Sequence, residues 1–183
     1  MNTEILIILD RSGSMHALAK DVIGGFNSFI DSQRTLPGEA RVTLVQFSDA
    51  SSLIYEAKPL ADVSEMTTFK PGGSTALLDA IGQTLDRQGK RIADEKWAKS
   101  VVVVTITDGE ENASHEYSNA RIREMIAHAE NHDWKFIYLG ANQDAFAVGT
   151  SLGISKGMTM SYAANAVGTQ TMYSTVDAFV RTA

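Results

Sequence analysis

Apolar residues along this chain fall into short blocks that alternate between two periods. Residues 3–9 form a continuous aliphatic run, Ile5-Leu6-Ile7-Ile8-Leu9, that stops at Asp10. An unbroken run of this kind predicts a strand covered on both faces. From Leu18 onward, Val22, Phe26, Phe29 and Ile30 recur at three- and four-residue spacing, predicting an amphipathic helix that closes near Thr35, just before Leu36-Pro37-Gly38. Residues 41–47, carrying Val42, Leu44, Val45 and Phe47, read as a second strand, and residues 52–57 as a third. Only Ser48-Asp49-Ala50-Ser51 joins them, so the pair must be antiparallel, because a parallel connection needs a long crossover.

Residues 61–70 carry little pattern, and one short helical turn is expected around 62–65. A polar loop, Pro71-Gly72-Gly73-Ser74-Thr75, then leads into Leu77, Leu78, Ile81 and Leu85 at helical spacing, with the helix running to about Ala93 and fraying near Gly89. Residues 99–107 contain Val101-Val102-Val103-Val104-Thr105-Ile106, the strongest buried-strand signal in the chain, ending at Asp108-Gly109. Ser118 is placed to cap a helix carrying Ile122, Met125, Ile126 and Ala129. A strand at 134–139, a helix at 144–152, a short strand at 158–162 and a terminal helix through Met172, Val176, Phe179 and Val180 complete the pattern. Such alternation predicts an α/β fold: a doubly wound, mostly parallel sheet with one antiparallel edge strand and helices on both faces.

Composition narrows the function. With 183 residues and no repeat or linker, one domain spanning 1–183 is the simplest organisation. The formal charge of -6 argues against a nucleic-acid partner, whose phosphates select basic surfaces. Cysteine is absent, which removes disulfides and thiolate metal sites. No stretch reaches the ~20 apolar residues of a membrane span, and the first apolar run is too short for a signal-peptide core, so a cytoplasmic location without membrane contact is expected.

The polar residues at the strand ends carry the candidate chemistry. In a doubly wound sheet the ligand site lies outside the carboxyl ends of the strands, where the strand order reverses. Asp10 and Asp108 each end a buried strand, Ser12 and Ser14 follow Asp10 at alternate positions, and Thr75 follows a glycine-rich loop before a helix. Together they offer two carboxylates and three neutral hydroxyls, the all-oxygen donor set suited to Mg²⁺. Hydroxyls neutralise little of the ion's charge, which leaves it electrophilic toward an outside carboxylate. Each piece alone has a plainer reading: Asp and Ser cap helices, and Asp-Gly and Gly-Gly make turns. The combination favours a metal.

Asp10-Arg11-Ser12-Gly13-Ser14, Thr75 within Gly72-Gly73-Ser74-Thr75-Ala76-Leu77-Leu78-Asp79-Ala80, and Asp108 within Thr107-Asp108-Gly109-Glu110-Glu111 resemble the three parts of the metal-ion-dependent adhesion site of the von Willebrand factor type A family. The likeness runs from Ile5 to at least Gly140. It implies a Rossmann-like fold and a binding module rather than an enzyme. It also implies hydroxyl ligation by Ser12, Ser14 and Thr75, with Asp10 and Asp108 acting largely through water. Mg²⁺, or Mn²⁺ in its place, and a protein partner offering an Asp or Glu carboxylate are implied with it.

Competing readings are weaker. Gly72 to Thr75 lacks the Gly-Lys-Ser/Thr ending of a phosphate-binding P-loop. His128 and His132 stand at i and i+4, yet the intervening glutamate is misplaced for a His-Glu-x-x-His zinc site, and a solvated helix end explains them. Glu110 and Glu111 read as solvated or helix-start carboxylates, and Asp79 as a first-turn carboxylate facing its helix dipole. A phosphatase of the haloacid dehalogenase type would also place an aspartate after the first strand, but it would need a second carboxylate where Ser12 stands. A metal-free structural or assembly domain is the remaining alternative.

Overall fold

The computed structural model describes residues 2–141 and 144–182. Six strands are found among them: β1 (Asn2–Asp10), β2 (Glu39–Phe47), β3 (Ser51–Pro59), β4 (Ser100–Thr107), β5 (Trp134–Ala141) and β6 (Thr159–Tyr162). Five α-helices accompany them: α1 (Ala19–Arg34), α2 (Leu77–Glu95), α3 (Asn119–Glu130), α4 (Ala145–Ser151) and α5 (Ala166–Thr182). The strand order is β3-β2-β1-β4-β5-β6, and every neighbouring pair is parallel except β2 with β3. The expected doubly wound sheet with one antiparallel edge is therefore present. No helix among the described residues is long and apolar enough to cross a membrane.

Pleating explains why the first and fourth strands read as unbroken apolar runs. Ile5, Ile7 and Leu9 of β1 enter one core with α1 and α5, while Leu6 and Ile8 enter a second core with α2, α3 and α4. All eight residues of β4 are buried. β1 has β2 on one side and β4 on the other, so the chain reverses direction across the sheet between them. The register Leu9 with Ile106 brings Asp10 and Thr107 flush at the carboxyl edge.

Two expectations fail, for tertiary reasons. The helical turn expected at 62–65 is a 3-10 turn at Leu60–Asp62, and the chain is irregular beyond it. Arg34 donates to the carbonyls of Leu60 (3.2 Å) and Val63. Asn27 brackets Met66, accepting from its N–H (2.8 Å) and donating to its carbonyl (3.0 Å). These side-chain bonds take the backbone groups that a helix would have used. The fray expected near Gly89 is also absent, since α2 continues to Glu95. Arg91 pairs with the buried Glu4 of β1 (3.0 Å), which fastens the last turns of α2 to the sheet. Lys96 then closes the helix in the left-handed conformation (φ 53°), its N–H donating to Ile92.

Candidate metal centre

The turn after β1 is shaped by its own carboxylate. Asp10 is fully buried, and its Oδ1 accepts from Ser12 N–H (2.6 Å) while Oδ2 accepts from Thr107 Oγ1 (2.6 Å). Ser12 Oγ lies 3.1 Å from Ser14 Oγ, and Ser14 Oγ donates to Asp108 Oδ1 (2.5 Å). A 3-10 turn at Gly13–Leu18 precedes α1, and the Ser12 side chain at its start caps nothing. The plain capping explanation of these serines is therefore not what the structure uses.

Neighbouring loops are tied to this turn through backbone. Arg11 N–H donates to Phe47 O (2.8 Å), Gly72 N–H to Arg11 O (2.8 Å) and Gly13 N–H to Gly73 O (3.0 Å). Gly73 has φ +84°, which strains any other residue, and a Cβ there would stand 2.2 Å from Asp49 Oδ2, so the Asp49 carboxylate would have to move. Asp49 in turn accepts from Ser74 N–H (2.9 Å), and that bond lowers its pKa. Thr75 is bracketed by Asn112, whose Oδ1 accepts from Thr75 N–H (2.9 Å) and whose N–H donates to Thr75 O (3.1 Å).

Gly109 shows that the oxygens converge. A Cβ on it would lie 2.8 Å from Thr75 Oγ1, 3.5 Å from Ser14 Oγ and 3.6 Å from Asp10 Oδ2. Three of the five predicted residues thus surround one point, and hydrogen bonds join Ser12 and Asp108 to them. The donor set is rich in hydroxyls, and among the described residues no group of three or more His, Cys, Asp or Glu side chains is placed to share an ion. All-oxygen donors with two carboxylates fit a hard divalent cation such as Mg²⁺.

Burial governs the electrostatics. Desolvation raises the pKa of Asp10, against the lowering effect of the bonds from Thr107 and Ser12. Asp108 is raised as well, first by burial and also by the charge of Asp10, while the bond from Ser14 opposes. Two carboxylates pushed upward at one spot are a locus that a cation would stabilise.

Several supporting residues had no signature in the sequence. Thr107 is one: a hydroxyl inside a valine-rich strand reads as a tolerated β-former, yet it holds Asp10. Glu111 is another: of its two readings, solvated or helix-start, the structure overturns the first and matches the second. It accepts from Leu78 N–H (2.9 Å), Ala113 N–H (3.0 Å), and both the N–H and the hydroxyl of Ser114 (2.7 Å each). Asp79 accepts from the N–H groups of His115, Glu116 and Tyr117, which matters more than its place near a helix dipole. The start of α2, with no cap on its own N-terminal side chain, is thus capped from the loop after β4. Glu111→Ala should leave three amides unpaired and cost about 1–3 kcal/mol, read as a lower urea midpoint with faster amide exchange at residues 111–117.

His128 and His132 sit exposed at the end of α3, far in sequence and fold from this cluster, with ring centroids 4.7 Å apart. His132 Nδ1 lies 2.9 Å from His128 O.

A sequence profile of the von Willebrand factor type A domain matches residues 5–110, so the chain belongs to that family. Domains of this family are in general protein-interaction and adhesion modules with metal-binding sites, and are not enzymes in general. A search of curated protein sequences gives no significant match. Among solved structures, the chain is similar to proximal thread matrix protein 1 from the mussel byssus, at TM-score 0.73 and 15% identity over 98% of this chain and 46% of that one. A structure of the same mussel protein with a zinc-occupied MIDAS motif aligns at TM-score 0.69 and 16% identity, over 97% and 45% of the two chains. The manganese-loaded TRAP protein of Plasmodium vivax aligns at TM-score 0.59 and 16% identity, over 92% and 71%. The chain spans less than half the length of the mussel protein. At these identities the likeness concerns the fold.

Proposed function

We propose that this protein is a metal-dependent protein-binding module, in which Mg²⁺ held by Asp10, Ser12, Ser14, Thr75 and Asp108 captures an acidic side chain of a partner protein. The observation that carries the reading is the meeting of Thr75 Oγ1, Ser14 Oγ and Asp10 Oδ2 around the point where a side chain on Gly109 would begin. Ser12, Ser14 and Thr75 would contact the ion through their hydroxyls. Asp10, fully buried and already accepting two hydrogen bonds, would act from behind them. Mn²⁺ would serve in place of Mg²⁺, since both accept oxygen donors. Because the ligands in direct contact would be neutral hydroxyls, the bound ion would stay electrophilic and draw an Asp or Glu from outside.

The burial of Asp10 also speaks against the phosphatase alternative, whose nucleophile must meet its substrate. Calorimetric titration with Mg²⁺ tests the site. The wild type should bind, and the Ser12→Ala, Ser14→Ala double variant should lose at least about tenfold in affinity, or ~1.4 kcal/mol. Equal heats in the two proteins would refute the assignment. Melting in Mg²⁺ against EDTA separates this reading from a metal-free assembly domain, because an ion bound only by the folded state raises the midpoint.

A further inference from the structure

Three hydroxyls on the α5 side of the sheet have no hydrogen-bond partner although each is more than nine-tenths buried. They belong to Tyr162 at the end of β6 (6% exposed) and to Thr169 (1%) and Tyr173 (4%) of α5. Thr169 and Tyr173 stand one turn apart on the buried stripe of α5, so their oxygens share one side of that helix. Buried hydroxyls are nearly always bonded to protein or to ordered water. Several orphans in one compartment are the signature of an internal water, which takes about two to four polar partners.

The position of Tyr162 connects this compartment to the metal centre. Thr107 pairs with Gly140, and Ala141 with Tyr162, so Tyr162 is level with Asp108 and two strands away from it. Two strand spacings of about 4.8 Å separate the two backbones, and both carboxylates of the site act electrostatically on the Tyr162 phenol. Tyr162 also lies in the same buried cluster as Met15, the residue after Ser14, and Ala141. Burial, and after it Tyr173 and the carboxylates of Asp108 and Asp10, push its phenol pKa upward, so it remains a neutral donor at ordinary pH.

We propose that Tyr162 is a positioning residue for the metal centre: through a buried water shared with Thr169, its hydroxyl donates to the Asp108 carboxylate and holds that group for the ion. The inference rests on the metal-capture reading given above. Hydrogen bonds behind a ligating group fix its orientation, and losing one commonly weakens metal affinity by about 10- to 100-fold. A bond relayed by water belongs at the lower end of that range.

The test is Mg²⁺ calorimetry on the wild type, Tyr162→Phe, Thr169→Val and Tyr55→Phe, with melting of each protein in EDTA. Tyr55 also carries a buried, unpartnered hydroxyl and packs against the same core, but from β3 at the sheet edge opposite β6, so it serves as the packing control. Tyr162→Phe should bind about tenfold more weakly, with Thr169→Val shifted in the same direction and Tyr55→Phe unchanged. In EDTA, Tyr162→Phe should melt close to the wild type, because the substitution removes one water-relayed bond and no direct bond between protein groups. Wild-type binding with unchanged affinity in Tyr162→Phe would overturn this inference alone. Equal weakening in Tyr55→Phe would also overturn it, since general packing would then be the cause. A wild type that binds no Mg²⁺ would remove both this inference and the reading beneath it.

Discussion

Asp10→Asn should lower Mg²⁺ affinity by at least about a hundredfold, or ~2.7 kcal/mol, while leaving the metal-free fold intact. Asparagine has the shape of aspartate and keeps one oxygen for Ser12 N–H, the bond that sets the turn. Its amide can donate to Thr107 Oγ1, reversing the second bond without breaking it. Only the charge is lost, and the charge is what attracts the ion. Calorimetry reads the loss, and a melt in EDTA reads the fold. Retained Mg²⁺ affinity in the variant would show that Asp10 is a turn-former and nothing more.

The pH dependence has a definite sign. Burial raises both Asp10 and Asp108 in the metal-free protein. For a raised carboxyl, the folded state holds the proton more tightly than the unfolded chain, whose Asp titrates near ~3.9. The contribution of this pair to stability is therefore full below the ordinary aspartate range and is lost as pH rises through the raised values. In EDTA the melting midpoint should decline across that interval, and Asp10→Asn should flatten the decline. With Mg²⁺, which binds the ionised pair, the slope should reverse, because protons and the ion compete for the same oxygens.

Gly25→Ala should destabilise the protein by about 1–3 kcal/mol through overpacking. A Cβ at this position of α1 would stand 2.2 Å from Cδ2 and 2.6 Å from Cε2 of Tyr173, whose ring lies across the helix from α5. Alanine is the better helix former by about 1 kcal/mol, so propensity alone predicts the opposite sign. The ring is buried and cannot swing aside into solvent, so the clash should prevail. Urea unfolding decides between them: a higher midpoint in Gly25→Ala would mean that α5 can retreat from α1 without loss. By contrast, Gly24 has nothing within 4 Å of its Cβ position, and alanine there should follow propensity.

These substitutions separate what is written locally from what is not. The sheet was legible because β1 and β4 carry aliphatic runs that only a doubly covered strand can bury, and because the three residues between β2 and β3 permit only an antiparallel turn. Asp10, Ser12, Ser14, Thr75 and Asp108 could be nominated because each follows or precedes an element whose direction the pattern had already set. Their ends of the strands had to meet at one edge of a parallel sheet. Period and order along the chain are local properties, so the sequence alone determined the fold class and nominated the five candidate residues.

The supports of those oxygens were decided only in three dimensions. Thr107 reads as an ordinary strand residue until β4 lies beside β1 and its hydroxyl reaches Asp10. Glu111 reads only as a solvated or helix-start acid until the loop after β4 folds over the start of α2 and the carboxylate finds the Leu78 amide, 33 residues away in the chain. Residues 62–65 read as a helical turn until Arg34 and Asn27 of α1 bind the backbone at Leu60, Val63 and Met66. Each of these is a hydrogen bond between segments far apart in sequence, and a donor or acceptor carries no local mark of which distant partner it will meet. A single chain therefore specifies where its oxygens stand through hydrophobic period, and how firmly they are held through contacts that exist only once the sheet has formed.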